Sequence, residues 1–366
     1  MKNKPVMYAT KPKLSGKVVF RDVIESALTE LFFIEHPQVP KGRHDPAALK
    51  TFVRNNRDKG VWVYYPWRST VVHIPHKETY VRLRTARNRN LIRPDEQVKY
   101  RAATVGIAGL SVGSTALAAL VATGGPEHIK LADPDILEIT NLNRLRGTLL
   151  DVGVHKTDIA ARAAWEVDPF LTIDTWPMGV ARDTLEQFIV GAPKLSVFID
   201  EMDAIDMKFA SREVCRKNRV PVVMATDNGD SIILDVERFD LEPKRPLFHG
   251  RVTVSSKEVQ HMTREKFIVL SNQIIDPIMF TMRQQESIME IGKTLSGVAQ
   301  LGTAATLAGV AVAYAVRRIV TGWSMPSGRY VMGCDASFIP GYASKVEVKK
   351  RNEHTKKFVE YFSKKE

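Results

Sequence analysis

Five short runs carry the residues with the most chemistry in them. Gly109-Leu110-Ser111-Val112-Gly113-Ser114 comes first, between an apolar run and an Ala/Leu-rich stretch. Asp133-Pro134-Asp135, Asn141-Leu142-Asn143-Arg144 and Gly153-Val154-His155-Lys156 follow, and Asp200-Glu201-Met202-Asp203 comes later. Glycines between a strand and a helix let the backbone approach a phosphate, and the helix N-terminus adds free N–H groups and positive potential. The same glycines would serve a tight turn that binds nothing. An acid at the end of the next strand, such as Asp133, sits where a nucleotide-binding βαβ unit holds ribose hydroxyls. It is equally a polar strand end. The set says more than its members. A carboxylate, an arginine, a lysine and a second carboxylate each fall at a strand end or just before a helix, and in a parallel sheet such ends converge on one crevice. There Arg144 and Lys156 can clamp a triphosphate, and Asp203 can hold Mg²⁺, which needs only one or two carboxylates beside phosphate oxygens. Transfer at phosphorus needs positioning and cations rather than covalent help from the protein.

The elements that must position these residues alternate. Thr104–Ala108, His128–Ala132, Leu171–Trp176, Leu195–Ile199 and Val220–Ala225 read as strands, and Ser114–Thr123, Lys156–Val167 and Asp206–Asn218 as helices. This predicts an α/β fold, a Rossmann-like mostly parallel sheet with helices on both faces. Ser231–Val236 adds a strand, and the chain to about Gly322 reads as mainly helical. Ahead of the sheet lies a small basic α+β unit. It has helices at Val23–Phe33 and Pro46–Asn56, and a hairpin of Val61–Tyr65 and Thr70–Ile74 joined by Pro66-Trp67-Arg68-Ser69. The expected divisions are 1–85 for this unit, 86–344 for the α/β domain and 345–366 for a basic tail. Leu295–Val316 has no formal charge and is long enough to span a bilayer. Its Ala, Gly and Thr content, with Gln300 inside it, fits a helix buried against the sheet better than a membrane span.

From Val105 to Lys156 the chain resembles the adenylating core of the ubiquitin-activating-enzyme-like superfamily, which includes the ThiF, MoeB and HesA proteins. Arg87-Asn88-Arg89-Asn90 and Pro94-Asp95-Glu96-Gln97 resemble the family's lead-in to the first strand, and Gly297–Gly322 its closing helix, so the resemblance covers roughly 87–322. It implies that Gly109, Leu110, Ser111 and Gly113 form a phosphate loop. It places Asp133 on the ribose with Asp135 nearby, Asn141 and Arg144 on the phosphates, Lys156 on the α/β-phosphates and Asp203 on Mg²⁺. It also implies a homodimer in which Arg89, or less well Arg87, reaches the partner's ATP. The implied reaction is attack by a carboxylate on the α-phosphate of ATP, giving an acyl-adenylate and pyrophosphate. The implied substrate is the C-terminus of a ubiquitin-like or sulfur-carrier protein, or, as in other branches of the family, a peptide or a modified tRNA base.

The chain departs from that pattern in places. Leu-Ser-Val replaces paired glycines in the loop, whose register is open by one residue. Ala204 stands where an Asn usually follows the acid, and Lys208 where an Arg or other polar residue often lies. The paired Cys-x-x-Cys zinc sites are absent, so no structural zinc is implied. Cys215 falls within a predicted amphipathic helix and reads as core. Cys334, in Gly333-Cys334-Asp335, is a weak candidate for a thioester acceptor with nothing nearby to activate it. Two further readings stay open: a non-catalytic scaffold of the same fold, and an NAD-dependent oxidoreductase, which would give no reason for Arg144, Lys156 and Asp203 in this order.

Charge and composition bound the rest. The 366 residues are 44% hydrophobic and 26% charged, with two cysteines, which excludes a disulfide scaffold and fits a reducing compartment. No apolar run of signal-peptide length lies in Met1–Phe20, and a cytoplasmic protein is expected. The net charge of +12 is uneven: residues 1–101 hold 21 Lys/Arg against 9 Asp/Glu, and 102–366 hold 32 of each. The nucleotide-binding body is therefore not basic, which argues against nucleic acid as a partner. Trp62, Tyr64, Tyr65 and Trp67 read as a hairpin core, and Asp227-Asn228-Gly229-Asp230 as a turn between strands.

Overall fold

A computed structural model describes residues 4–57, 60–260, 262, 270 and 273–363. Its larger sheet has seven strands: β5 (Thr104–Ala108), β6 (His128–Ala132), β7 (Thr172–Trp176), β8 (Val197–Asp200), β9 (Val222–Asn228), β10 (Ser231–Glu237) and β11 (Gly328–Gly333). They lie in the order β11-β10-β9-β8-β5-β6-β7. The five strands from β5 to β9 are parallel, while β10 and β11 join antiparallel at one edge. Every residue of β5, β8 and β10 is buried, as expected for strands covered on both faces. The chain runs outward from β5 through β6 to β7, then returns to place β8 on the other side of β5. That reversal opens a crevice at the carboxyl ends of β5 and β8.

Helices cover both faces. On one lie α5 (Val112–Ala122), α6 (Lys156–Val167) and a long helix, Gly302–Thr321. On the other lie α7 (Arg182–Val190) and α8 (Ile205–Lys217), packed through Phe188, Phe198, Phe209 and Phe248. The long helix crosses α5 at close range because its face is small. Ala304, Ala305, Ala308 and Gly309 are buried, Thr115 Oγ1 donates to the Ala305 carbonyl at 2.6 Å, and a Cβ on Gly309 would strike the Thr115 backbone. This is the one described helix long and apolar enough to cross a membrane, and it lies against α5, β9 and β10. It begins seven residues later than the apolar run, so Gln300 stands ahead of it, in irregular chain.

The smaller sheet has the order β1-β3-β4-β2, from β1 (Val6–Tyr8), β2 (Val19–Asp22), β3 (Gly60–Tyr65) and β4 (Thr70–Pro75). It is flanked by α1 (Ile24–Glu35), α2 (Pro46–Asn56) and α3 (Lys77–Thr85), and α4 (Pro94–Ala102) leads into β5. Val61, Val63, Tyr65 and Ile74 join the same apolar cluster as Val105 and Trp165, so one core runs through the small sheet and the large one. Part of the basic charge of residues 1–101 faces this junction. Arg68 pairs with Glu166, Lys77 with Glu127, Arg84 with Asp168, and Arg101 with both Glu127 and Asp168.

Several expectations need correction. Strands β1, β2 and β11, of three, four and six residues, were not foreseen, because mostly exposed strands at a sheet edge carry no alternating apolar pattern. The stretch after β10 is not mainly helical. Between it and the long helix the described chain is largely irregular, with only short helices such as Met282–Met289. The basic tail, expected as a surface helix or a frayed end, is a helix, Lys345–Ser363, that buries Phe358 and meets Gln285 through His354 and Thr355.

Candidate active site

Strand register brings the chemistry together. Ala108 lies opposite both Ala132 and Asp200, so Gly109, Asp133 and Glu201 leave the sheet at one level. Gly109 has φ +90°, and a Cβ there would overlap the Glu201 carbonyl, so only glycine fits. The Asp133 carboxylate closes the turn: Oδ2 accepts from Leu110 N at 2.6 Å and Oδ1 from Asp135 N at 2.9 Å. Burial pushes the Asp133 carboxyl up, against the pull of those two N–H groups and of the Lys156 charge. Gly113 lies a turn further on, inside α5. A Cβ there would meet Ile107, so this glycine sets how closely α5 packs on β5.

The cleft has two lobes, of about 270 and 310 Å³, which share Ser111, Asp135, Lys156, Glu201, Met202 and Asp203. Met178, Val180 and Met207 give the first an apolar wall suited to a flat base. The second is polar and contains Asn141, Arg144, Lys208, Asp227 and Gln300. Lys156, at the start of α6, is buried; its Nζ donates to Asp135 Oδ2 at 2.7 Å and lies 3.9 Å from Asp133 Oδ1. Arg144 donates through Nε to Ser111 Oγ at 3.0 Å, which ties its motif to the glycine turn. Asn141 Oδ1 accepts from Glu138 N and holds the short turn that presents Arg144. Asp203 is exposed at the junction of the lobes, and among the described residues its carboxylate has no partner.

The loop carrying Asp203 rests on a buried ionic network. Asp200 accepts from Met202 N at 3.2 Å, which folds the loop, and pairs with Lys208 and with Arg212. Burial alone would raise the Asp200 carboxyl, but the charges of Lys208 and Arg212 hold it below the usual carboxylate range. Arg212 is fully buried and also pairs with Glu237. Glu201, next in the chain, is pushed well above its ordinary value by burial, and its Oε1 accepts from Ala225 N.

Gly109, Leu110, Ser111, Asp133, Asp135, Asn141, Arg144, Lys156 and Asp203 all line or build this cleft. Arg89 does not. It lies with Arg82, Arg87 and Arg101 along a separate groove between α1, α3 and α4. The sequence reading missed Arg212, and it assigned no part in the site to Glu201, Asp227 or Gln300. A signal for Asp227 existed: β9 is parallel to β8, so its carboxyl end faces the same crevice. Reading the strand as ending at Ala225 turned Asp227 into a turn residue. Cys215 is fully buried, as expected of a core cysteine.

A model of the ThiF family matches residues 85–356. An uncharacterized protein of Mycobacterium tuberculosis is 37% identical over 269 residues, 73% of this chain and 37% of its own length. The tRNA threonylcarbamoyladenosine dehydratase of Escherichia coli is 35% identical over 130 residues, 35% of this chain and 46% of its own. The chain thus spans less than half the length of these relatives. Among solved structures, the E. coli dehydratase TcdA superposes with a TM-score of 0.47 at 21% identity, over 66% of this chain and 95% of that one. E. coli MccB with ATP gives a TM-score of 0.45 at 16% identity, over 83% and 82%.

Proposed function

The chain belongs to the ThiF family, and from that premise we propose that it uses ATP to activate a carboxylate as an acyl-adenylate. One observation carries the reading. A base-sized apolar lobe opens into a polar lobe where Arg144, Lys156 and an unpartnered Asp203 converge. A substrate carboxylate oxygen attacks the α-phosphorus, the bond from that phosphorus to the bridging oxygen breaks, and pyrophosphate leaves. The carboxylate is ionised at neutral pH, so no general base is needed. Arg144 and Lys156 face the charge that grows on the phosphate oxygens, and the contact of Arg144 with Ser111 fixes its direction before ATP arrives. Asp133 has lone pairs left for the ribose after serving two backbone N–H groups. Mg²⁺ held by Asp203 would neutralise phosphate charge. Asp203, an exposed carboxylate with no partner among the described residues, fits that ion, with phosphate oxygens and water completing its shell.

The proposed acid is the C-terminus of a peptide or of a small ubiquitin-like or sulfur-carrier protein, activated in the cytoplasm. The proposed assembly is a homodimer, because Arg89 is remote from the cleft of its own chain and a second copy would supply it. Mixing Arg89→Ala with Asp203→Ala chains should then restore about a quarter of the wild-type sites. No recovery on mixing would remove the shared site.

Thermal unfolding tests the ATP binding that the reaction requires, without knowledge of the acid. ATP with Mg²⁺ at about 100 times its Kd should stabilise the protein by about 2.7 kcal/mol. NAD should do nothing, and Arg144→Ala and Lys156→Ala should lose most of the ATP effect while still folding. A response to NAD but not to ATP would favour the oxidoreductase reading.

A further inference from the structure

The wall of the polar lobe made by Ile274 and Ile275 is held from behind by charged groups that the proposed reaction does not use. Arg329 on β11 stands opposite Asp235 on β10 in the strand register. Its guanidinium grips that carboxylate with two nitrogens, Nε to Oδ1 at 2.8 Å and Nη2 to Oδ2 at 2.9 Å. The same fork also holds main chain: Nη2 donates to the Ile274 carbonyl at 2.6 Å and Nη1 to the Ile275 carbonyl at 3.4 Å. A third residue fixes the carboxylate. Arg245 donates to His249 Nδ1 at 2.9 Å, which leaves Nε2 to donate to Asp235 Oδ1 at 2.8 Å. Burial would raise the Asp235 carboxyl, but His249 and Arg329 hold it below the usual carboxylate range, so its pair with Arg329 is ionic. Both side chains of that pair are buried. The next residue along the wall, Asp276, has φ +59°, a backbone that a non-glycine residue adopts at a cost, and Arg251 ties its carboxylate down at 2.6 Å.

Well-packed apolar residues in place of a buried ion pair commonly stabilise a fold as much or more. They could not orient two main-chain carbonyls, and the planar fork of an arginine can. We infer that Arg329 is a positioning residue for the triphosphate: it keeps the carbonyl oxygens of Ile274 and Ile275 turned away from the polar lobe and fixes how far this wall stands from Arg144. Arg329 lines neither lobe, so the two carbonyls it holds point behind the wall. Turned inward, they would set partial negative charge against the phosphates, in a lobe that already carries Asp203 and Asp227. The inference rests on the adenylation reading above, which places the β- and γ-phosphates in this lobe.

The test compares AMP, which ends at the α-phosphate, with ATP–Mg²⁺, which extends into the polar lobe, by calorimetric titration of the full chain. The double variant Arg329→Met with Asp235→Asn removes both charges, strands neither, and leaves an acceptor for His249. It should bind AMP within about twofold of wild type and ATP–Mg²⁺ about tenfold or more weakly than wild type. Arg329→Lys keeps a charge for Asp235 but cannot hold the carboxylate and both carbonyls at once. It should shift the ratio of the two affinities in the same direction, and it decides the matter if the double variant does not fold. A wild-type ratio in the variants that fold, or equal losses for both nucleotides, overturns the inference and leaves adenylation standing. A wild-type chain that binds no ATP overturns both.

Discussion

Asp227 is a residue that folding alone does not favour. Its carboxyl sits at about 6 in the folded protein, chiefly through burial, against roughly 4 for an ordinary aspartate. The folded chain therefore holds this proton more tightly than the unfolded chain does. The penalty is absent below about pH 4, grows as pH rises through the window from about 4 to 6, and is complete above it. At about 1.4 kcal/mol per pH unit, this comes to roughly 2–3 kcal/mol. Urea unfolding of Asp227→Asn should match wild type near pH 4 and be more stable by about that amount at pH 7. A wild-type-like pH profile would show that the carboxylate is already satisfied. Gly109 is the opposite case, a residue fixed by geometry. Its left-handed φ and its contact with the Glu201 backbone were foreshadowed by a glycine after an apolar strand. The choice between Gly109 as turn and Gly113 as helix packing was not, because both needs select the same residue type.

At the scale of elements, the loop after β8 is shaped from beneath. Asp200 receives the Met202 N–H and is pinned by Arg212, which bridges to Glu237 on β10 and stacks its guanidinium over Phe248. Cutting a buried pair leaves the remaining charges uncompensated, which is worse than never having them. Arg212→Met should lower stability by about 3–5 kcal/mol in denaturant unfolding, since it strands both Asp200 and Glu237. Restoring it by the triple change Arg212→Met with Asp200→Asn and Glu237→Gln would confirm the cause. A loss below about 1 kcal/mol in the single variant would mean that Lys208 alone suffices for Asp200. Elements of the inner sheet were legible because continuous apolar runs ending in Gly or Asp have few other readings. The edge strands β1, β2 and β11 were not, since a short exposed strand such as the three residues of β1 takes its structure from its neighbour rather than from its own pattern.

For the whole molecule, the N-terminal unit is fastened to the α/β body by apolar and polar contacts together. Tyr65 donates to the Trp165 carbonyl, Trp67 and Arg68 meet Glu166, and Arg84 pairs with the fully buried Asp168. The charge asymmetry along the chain is in part this internal complementarity, a basic segment folded onto acids of the body. Calorimetry of the full chain should give a single unfolding transition. Removing residues 1–84 should expose the apolar face under β3 and β4 and give an aggregating or molten product. Two well-separated transitions, or a soluble and cooperative truncation, would show instead that the two parts fold independently.

Some properties of this protein follow from residue order alone. The alternation of apolar strands with helices dictates a parallel sheet. The five polar runs, each at a strand end or helix start, dictate that the acid, arginine and lysine groups share one edge of it. These are local signals, carried by residues adjacent in the chain. The tertiary structure decided the rest, because the remaining facts concern residues far apart in sequence. Register put Ala108 opposite Ala132 and Asp200. Packing made Gly113 a spacer and placed Arg89 outside the cleft. The meeting of Asp227 with Gln300, 73 residues on, left one buried carboxylate oxygen without a donor. Burial and the directions of hydrogen bonds are properties of the assembled core, and no spacing rule along the chain encodes them.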